Sequence, residues 1–354
     1  MPSKATKSGP RPPKSGELAI LSQIRSRVAA AGRLPGLTLG IGDDCALLRP
    51  RADEEVAVTT DLSIAGRHFR LDWHPPESIG HRTLARGLSD LAAMGARPLG
   101  AFLSLGLPRE LSGPAFKSSR PTWISRFYDG LLSLAERSQT PLAGGDLAES
   151  PVALADIVLI GAVPRGRALL RSGARPGDLL YVTGALGGAA AALSEIAAVA
   201  GALTSKSRTS KATQLKSPKG LLPQLAPHLY PQPRLAQGLW LQRRRLATAA
   251  IDLSDGLSTD LAHICQESSV SAELDAASLP LHRGATLQQA LHGGEDYELL
   301  FTAAPTTRIP RSIGGVHVTR IGRILRRHKS RPTITLLTPE GSLPLTPEGW
   351  EHFS

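Results

Sequence analysis

Six aspartates of this chain stand where apolar residues give way to glycine, serine or threonine: Asp44, Asp61, Asp90, Asp146, Asp252 and Asp255. Their settings are Gly40-Ile41-Gly42-Asp43-Asp44, Thr59-Thr60-Asp61, Ser89-Asp90, Gly144-Gly145-Asp146 and Ile251-Asp252-Leu253-Ser254-Asp255-Gly256. Such a grammar suits short strands that end in tight turns, the places where α/β proteins collect ligands. Any one of these aspartates can be a helix N-cap or an Asx-turn. Six exceed what capping needs, and neighbouring carboxylates repel unless a cation is shared between them. Hard divalent cations take oxygen ligands, so the set predicts a metal site, with Thr59, Thr60 and Ser254 able to add hydroxyl or carbonyl oxygens.

The order of elements predicts two domains of mixed α/β (α+β) class. A length of 354 residues with 41% hydrophobic and 20% charged residues is enough for two cores. Residues 1–16, rich in Pro, Ser, Gly and Lys, read as a disordered basic tail. A helix is expected over 17–31, ended by Gly32, and a short strand over 56–60 that delivers Asp61 at its end. A longer helix over 76–94 puts Leu84, Leu88 and Leu91 on one face and Arg82, Arg86, Ser89 and Asp90 on the other, so Asp90 is free to face a site. A strand over 99–107, a helix over 123–137, a turn at 144–146 and a strand over 152–163 complete a first domain of 17–163.

A basic, glycine-rich connector over 165–178 leads into a second domain of 174–354. It is expected to hold strands over 179–182, 249–251, 298–302 and 334–337 and an alanine-rich helix. A flexible insertion over 204–220, an extended loop over 228–234 and helices over 236–246 and after Gly256 complete it. The net charge of +11 gathers in 1–16, 204–220 and 320–331, which read as solvated peripheral stretches. Aromatics at 4% offer little base-stacking surface, so nucleic-acid binding is the lesser alternative. Cys45 and Cys265 are too few for a disulfide framework and read as small buried residues. No apolar run is long enough to span a bilayer, and the basic N-terminus lacks a signal peptide's apolar segment, so a cytoplasmic protein is expected.

The remaining motifs favour phosphate. Gly144-Gly145 frees backbone N–H groups, and Thr183-Gly184-Ala185-Leu186-Gly187-Gly188 precedes a helix whose N-terminus attracts anions, though helix-on-strand packing explains those glycines as well. Arg171 in the connector can clamp a phosphate bidentately or simply lie at the surface. His68 has no partner at metal-ligand spacing, so it is a substrate contact or an exposed loop residue. Trp350 can stack on an aromatic ligand or pack the terminus. Acids, glycines and cations with no evident nucleophile point to phosphoryl transfer, which asks for positioning and charge neutralisation.

On these residues the chain resembles the thiamine-monophosphate kinases, within the superfamily of aminoimidazole ribonucleotide synthetase. The resemblance rests on seven pieces in family order: 40–47, 59–61 with 66–69, 88–96, 144–146, 171–174, 251–257 and 293–299. It implies transfer of the ATP γ-phosphate to thiamine monophosphate, giving thiamine diphosphate. Asp44, Thr59, Thr60, Asp61, Asp90, Asp146, Asp252 and Asp255 would hold several Mg²⁺ ions. Gly145, Asp146, Arg171 and Ser254 would contact ATP, and His68, Glu295 and Trp350 would contact thiamine monophosphate. The implied fold has two domains, the first dimerising with its copy, and an active site between domains. Leu147-Ala148 and Gly188 depart from the family, which commonly has hydroxyl residues and an acid there. Another ATP-dependent synthetase of the superfamily is the alternative the resemblance leaves.

Overall fold

The computed structural model describes residues 17–30, 35–112, 121–206, 223–328, 330 and 332–349. The tail 1–16, Gly32, most of the insertion and Trp350 lie outside these. The first half holds α1 (Glu17–Ala30), β1 (Leu37–Leu39), β2 (Leu47–Leu48), β3 (Glu54–Ile64) and α2 (Pro76–Ala93). It continues with β4 (Arg97–Leu107), α3 (Trp123–Arg137), β5 (Leu142–Glu149) and β6 (Leu154–Pro164). Four strands form a sheet in the order β3-β6-β4-β5. Leu84, Leu88 and Leu91 of α2 pack with Leu103, Ile157 and Leu159 of that sheet and with Phe127 and Leu131 of α3. The expected apolar face of α2 is thus the face that meets the sheet.

The second half holds β7 (Leu179–Thr183), α4 (Gly188–Lys206), α5 (Ala226–Leu229), α6 (Leu235–Arg244), β8 (Ala249–Asp252), α7 (Leu257–Glu267) and β9 (Val270–Asp275). It ends with α8 (Leu287–His292), β10 (Leu299–Ala303), β11 (Ser312–Ile313), β12 (Val316–Arg326), β13 (Ile334–Thr338) and β14 (Gly341–Pro344). Its sheet runs β14-β13-β9-β12-β7-β10-β8, with β11 added on β12. Among the described residues, only the β13–β9 pairing is parallel within it. A third apolar cluster joins the halves: Ala92 and Ala93 at the end of α2 pack with Leu241 of α6 and with Ala250, Leu299 and Phe301 of the second sheet. Gly238 permits this approach, because a Cβ there would stand 1.9 Å from the carbonyl oxygen of Ala92.

Several expectations shift. β3 extends to Ile64, so Asp61 lies within the strand and not at its end. Gly144-Gly145-Asp146 is not a turn but part of β5, whose parallel pairing with β4 carries a register shift at its start. Residues 204–206 continue α4, because alanine-rich helix propensity runs on past the first polar residues. His228 and Leu229 belong to α5, which ends before Pro231. The basic stretch expected to be peripheral is mostly β12, which buries Val318, Ile321 and Ile324 and exposes Arg320, Arg323 and Arg326. Its arginines masked a half-buried strand. Cys45 is exposed and Cys265 is buried, because Cys45 lies in the loop between β1 and β2 and not next to a core strand. The polar face of α2 is not a solvent face: Arg82 and Ser89 are buried against the second half.

Candidate active site

Asp61, Asp90 and Asp252 converge from three elements. On β3 side chains alternate, so Thr59 and Asp61 face the α2 side while Thr60 faces away. Thr59 Oγ1 donates to Asp90 Oδ2 at 2.5 Å. Asp61 Oδ1 pairs with Arg86 at 2.7 Å. One position before Asp90, Ser89 donates to Asp252 Oδ2 at 2.7 Å, tying α2 to the end of β8. Burial raises the carboxyls of both Asp90 and Asp252, and the charges of Asp61 on Asp90 and of Asp90 on Asp252 push further in the same direction. Like charges are therefore held together in a poorly solvated place, the electrostatic situation a bound cation relieves.

Two clefts open on either side of Asp90 and Asp252, which line both. One, of about 500 Å³, adds Thr59, Met94, Leu170, Arg171 and Ser172. The other, of about 370 Å³, adds Asp61, His68, Phe69, Trp73, Arg86, Ser254, Asp255, Glu295 and Tyr297. A largely apolar cleft that carries Arg171 and a more aromatic one thus meet at a shared acidic seam. Glu295 is clamped by Arg82 at 2.6 Å. Burial alone would raise its carboxyl, but Arg82 and His228 more than offset this and hold it well below the carboxylate range.

Asp255 extends the seam. One of its carboxylate oxygens, one of Asp260 and a ring nitrogen of His263 lie within 4.8 Å of one another. Asp260 itself accepts the backbone N–H groups of Asp255 and Gly256, both at 3.1 Å, and so shapes the turn. Burial, followed by the charges of Asp252 and Asp255, pushes its carboxyl up to about 8.

Other predicted residues lie elsewhere on this chain. The Thr60 hydroxyl donates to Asp156 on the opposite face of the sheet, so only its backbone remains for a site on the α2 side. Asp44 is exposed in the loop between β1 and β2, where its N–H donates to Asp43 Oδ1 at 2.9 Å. Gly145 and Asp146 are exposed on β5, the edge strand farthest from β3. None of these four lines either cleft. Gly145 has φ +145°, and a Cβ there would stand 2.0 Å from the Leu103 carbonyl oxygen, so glycine is required by backbone approach.

The glycine run before α4 already holds a carboxyl group of this chain, which burial raises to about 7. Asp296 Oδ2 accepts from Gly187 N–H at 2.6 Å and Oδ1 from Ala189 N–H at 3.1 Å, so that helix terminus is already capped. Gly293-Gly294-Glu295-Asp296 thereby sends one acid to the cleft and the next to a helix end. Replacing Asp296 with Ala should destabilise the fold by about 1–2 kcal/mol through the lost cap, measured by urea denaturation. Sequence reasoning missed Arg86, Phe69, Trp73, His74, His228 and Tyr297 as site residues. The i, i+4 spacing of Arg82 and Arg86 ahead of Asp90 was a usable signal, whereas His228 reaches the site only by chain folding.

Comparison with known proteins places these features in a family. Residues 42–163 match the N-terminal domain of AIR synthase related protein, and residues 175–334 match its C-terminal domain. A thiamine-monophosphate kinase of Salmonella typhimurium is 39% identical over 87% of this chain and 90% of its own length. The crystal structure of thiamine-monophosphate kinase from Stenotrophomonas maltophilia K279a is 37% identical with a TM-score of 0.70, covering 88% of this chain and 94% of that one. A structure described as AaThiL complexed with AMPPCP and TMP is 28% identical with a TM-score of 0.68, covering 96% of this chain and 97% of that one.

Proposed function

As the chain belongs to the thiamine-monophosphate kinase family of AIR synthase related proteins, we propose that Asp61, Asp90 and Asp252 form the heart of its phosphoryl-transfer site. The enzyme phosphorylates thiamine monophosphate to thiamine diphosphate with ATP as co-substrate. The observation that carries the residue assignment is the seam: two clefts share Asp90 and Asp252. ATP is assigned to the cleft of Arg171, and its contact with Ser254, which lines the other cleft, is proposed across the shared seam. The acceptor is assigned to the cleft of His68 and Glu295, and Trp350, which lies outside the described residues, is proposed as a further contact on the family resemblance alone.

Carboxylates with hydroxyl neighbours are the donor set that Mg²⁺ accepts, and the repulsion within the buried Asp90–Asp252 pair fits a cationic occupant. Asp44, Thr59, Thr60, Asp61, Asp90, Asp146, Asp252 and Asp255 are proposed as the ligands of several such ions. When bound, Mg²⁺ screens the charge of donor and acceptor phosphates. The chain's own part is positional. Thr59 and Ser89 orient Asp90 and Asp252, and Arg82 keeps Glu295 ionised for the cationic ring of the acceptor. No side chain need act as a covalent nucleophile, because the acceptor phosphate attacks directly.

The four-stranded sheet supports a homodimer. Val56, Val58 and Leu62 on β3 are 53%, 63% and 45% exposed on the face away from α2. Asp61 and Asp146 lie on edge strands separated by three inter-strand steps, roughly 14 Å at about 4.8 Å each. Mg²⁺ ligand bonds are about 2 Å, so we assign Gly145 and Asp146 to the site of the partner subunit. The domain limits 17–163 and 174–354 are proposed with this arrangement, as is a cytoplasmic location. Among the described residues no helix is long and apolar enough to cross a membrane.

Incubation with ATP, Mg²⁺ and thiamine monophosphate should yield thiamine diphosphate and ADP in equal amounts, and chelation of the metal should abolish turnover. ADP with free phosphate and no diphosphate product would contradict the assignment of the acceptor cleft.

A further inference from the structure

Glu295 ends a chain of buried side chains that crosses between the two halves. Arg82 on α2 occupies its Oε1, and Nδ1 of His228 on α5 faces its Oε2 at 3.3 Å. Nε2 of His228 meets Nε2 of His74 at 2.9 Å. Nδ1 of His74 then takes the backbone N–H of Arg70 at 3.1 Å. Both rings are at most 4% exposed. Burial first and the Arg82 charge second lower both imidazoles, His74 to about 3, so both are neutral at physiological pH.

A neutral imidazole has one N–H and one lone pair, so two facing Nε2 atoms must run in one direction. The carboxylate at one end needs a donor, and the Arg70 N–H at the other needs an acceptor. One polarity meets both needs. His228 carries its proton on Nδ1, toward Glu295, and its Nε2 accepts from His74 Nε2–H. His74 then keeps a lone pair on Nδ1 for Arg70. The reverse polarity would send His74 Nδ1–H to the Arg70 carbonyl, also 3.1 Å away, which already receives the backbone N–H of His74. It would set a nitrogen lone pair against the Glu295 carboxylate. Arg82 does not rescue it: its Nη1 lies 3.1 and 3.2 Å from the two ring nitrogens, off both lone-pair directions, and donates to the His228 carbonyl at 2.6 Å.

We propose that His228, locked as its Nδ1–H tautomer by His74, is a positioning residue that aims Glu295 at the acceptor and so sets the enzyme's affinity for a cationic phosphomonoester. This rests on the assignment of Glu295 to the acceptor cleft. The backbone shares the task, since Glu295 sits at φ +68° with its N–H bound to the Ser254 carbonyl at 2.8 Å. A residue so constrained can present its carboxylate in few ways, and removing one clamp should widen that range.

Two measurements test this on the full chain. Long-range ¹H–¹⁵N NMR of histidine-labelled enzyme, assigned with single His variants, should show His228 as Nδ1–H and His74 as Nε2–H. The opposite tautomers would overturn the proposal. In steady-state kinetics His228→Ala should raise KM for thiamine monophosphate about tenfold, with KM for ATP within about twofold. His228→Asn, whose amide N–H can stand where Nδ1–H stood, should restore most of the loss. If Glu295→Gln raises that KM while His228→Ala does not, the positioning role is wrong and the cleft assignment survives. If Glu295→Gln leaves it unchanged, both fall.

Discussion

Asp252→Asn should lower kcat by on the order of a hundredfold to a thousandfold while leaving the fold intact or more stable. The activity loss follows from removing one metal-borne charge at the seam that both clefts share, an effect of the size seen when one electrostatic stabiliser is deleted. The stability effect has the opposite sign. Asp252 is buried and its carboxyl is raised by burial and by Asp90, so its ionised form opposes folding at neutral pH in the absence of metal. Asn removes that charge and still offers an oxygen to Ser89. The metal-free variant should therefore melt at or above the wild-type temperature. Mg²⁺ should raise the wild-type Tm by mass action and the variant's Tm much less. Near-normal turnover, or a collapsed Tm, would show Asp252 to be structural.

Mixing two inactive variants should recover activity. If Asp146 serves the partner's site, chains carrying Asp146→Asn and chains carrying Asp252→Asn each build only defective sites alone. A mixed dimer holds one site with both aspartates intact and one with neither. Random re-pairing should thus restore about a quarter of wild-type activity, half of the dimers having one good site of two. Val58→Asp should act on the same arrangement from the other direction. It places a carboxylate on a side chain that is 63% exposed at the proposed interface, so the dimer should dissociate in sedimentation and turnover should fall with it. No recovery on mixing, with each variant inactive alone, would return Asp146 to its own chain's site and sink the shared arrangement.

Much of the fold is legible in the chain. The periodic helix over 76–94 appears as α2, and the spacing of Leu84, Leu88 and Leu91 identifies the face that meets the sheet. The strand leading into Asp252 and the helix after Gly256 are equally plain, since a short apolar run and a glycine bound them. Other elements were hidden by composition. β12 carries an exposed arginine at each of 320, 323 and 326, so charge concealed its buried residues. The Gly144-Gly145 pair looks like a turn in isolation and is strand because β4 pairs with it. Strand assignment depends on a partner distant in sequence, and no local pattern carries that information.

The same division holds at the site. The acids and the class of chemistry they serve were set by residue type and spacing, because carboxylates crowd together only where a cation or a proton can relieve them. Which acids meet within one chain was decided by tertiary structure alone. Strand alternation turns Asp61 toward α2 and Thr60 toward Asp156, and the sheet order sets Asp146 at the far edge. Residue identity determines what a side chain can hold; β-pairing and the docking of α2 on the second sheet determine what it reaches. The His74–His228 contact, 154 residues apart in the chain, exists only because that docking brings α5 over the start of α2.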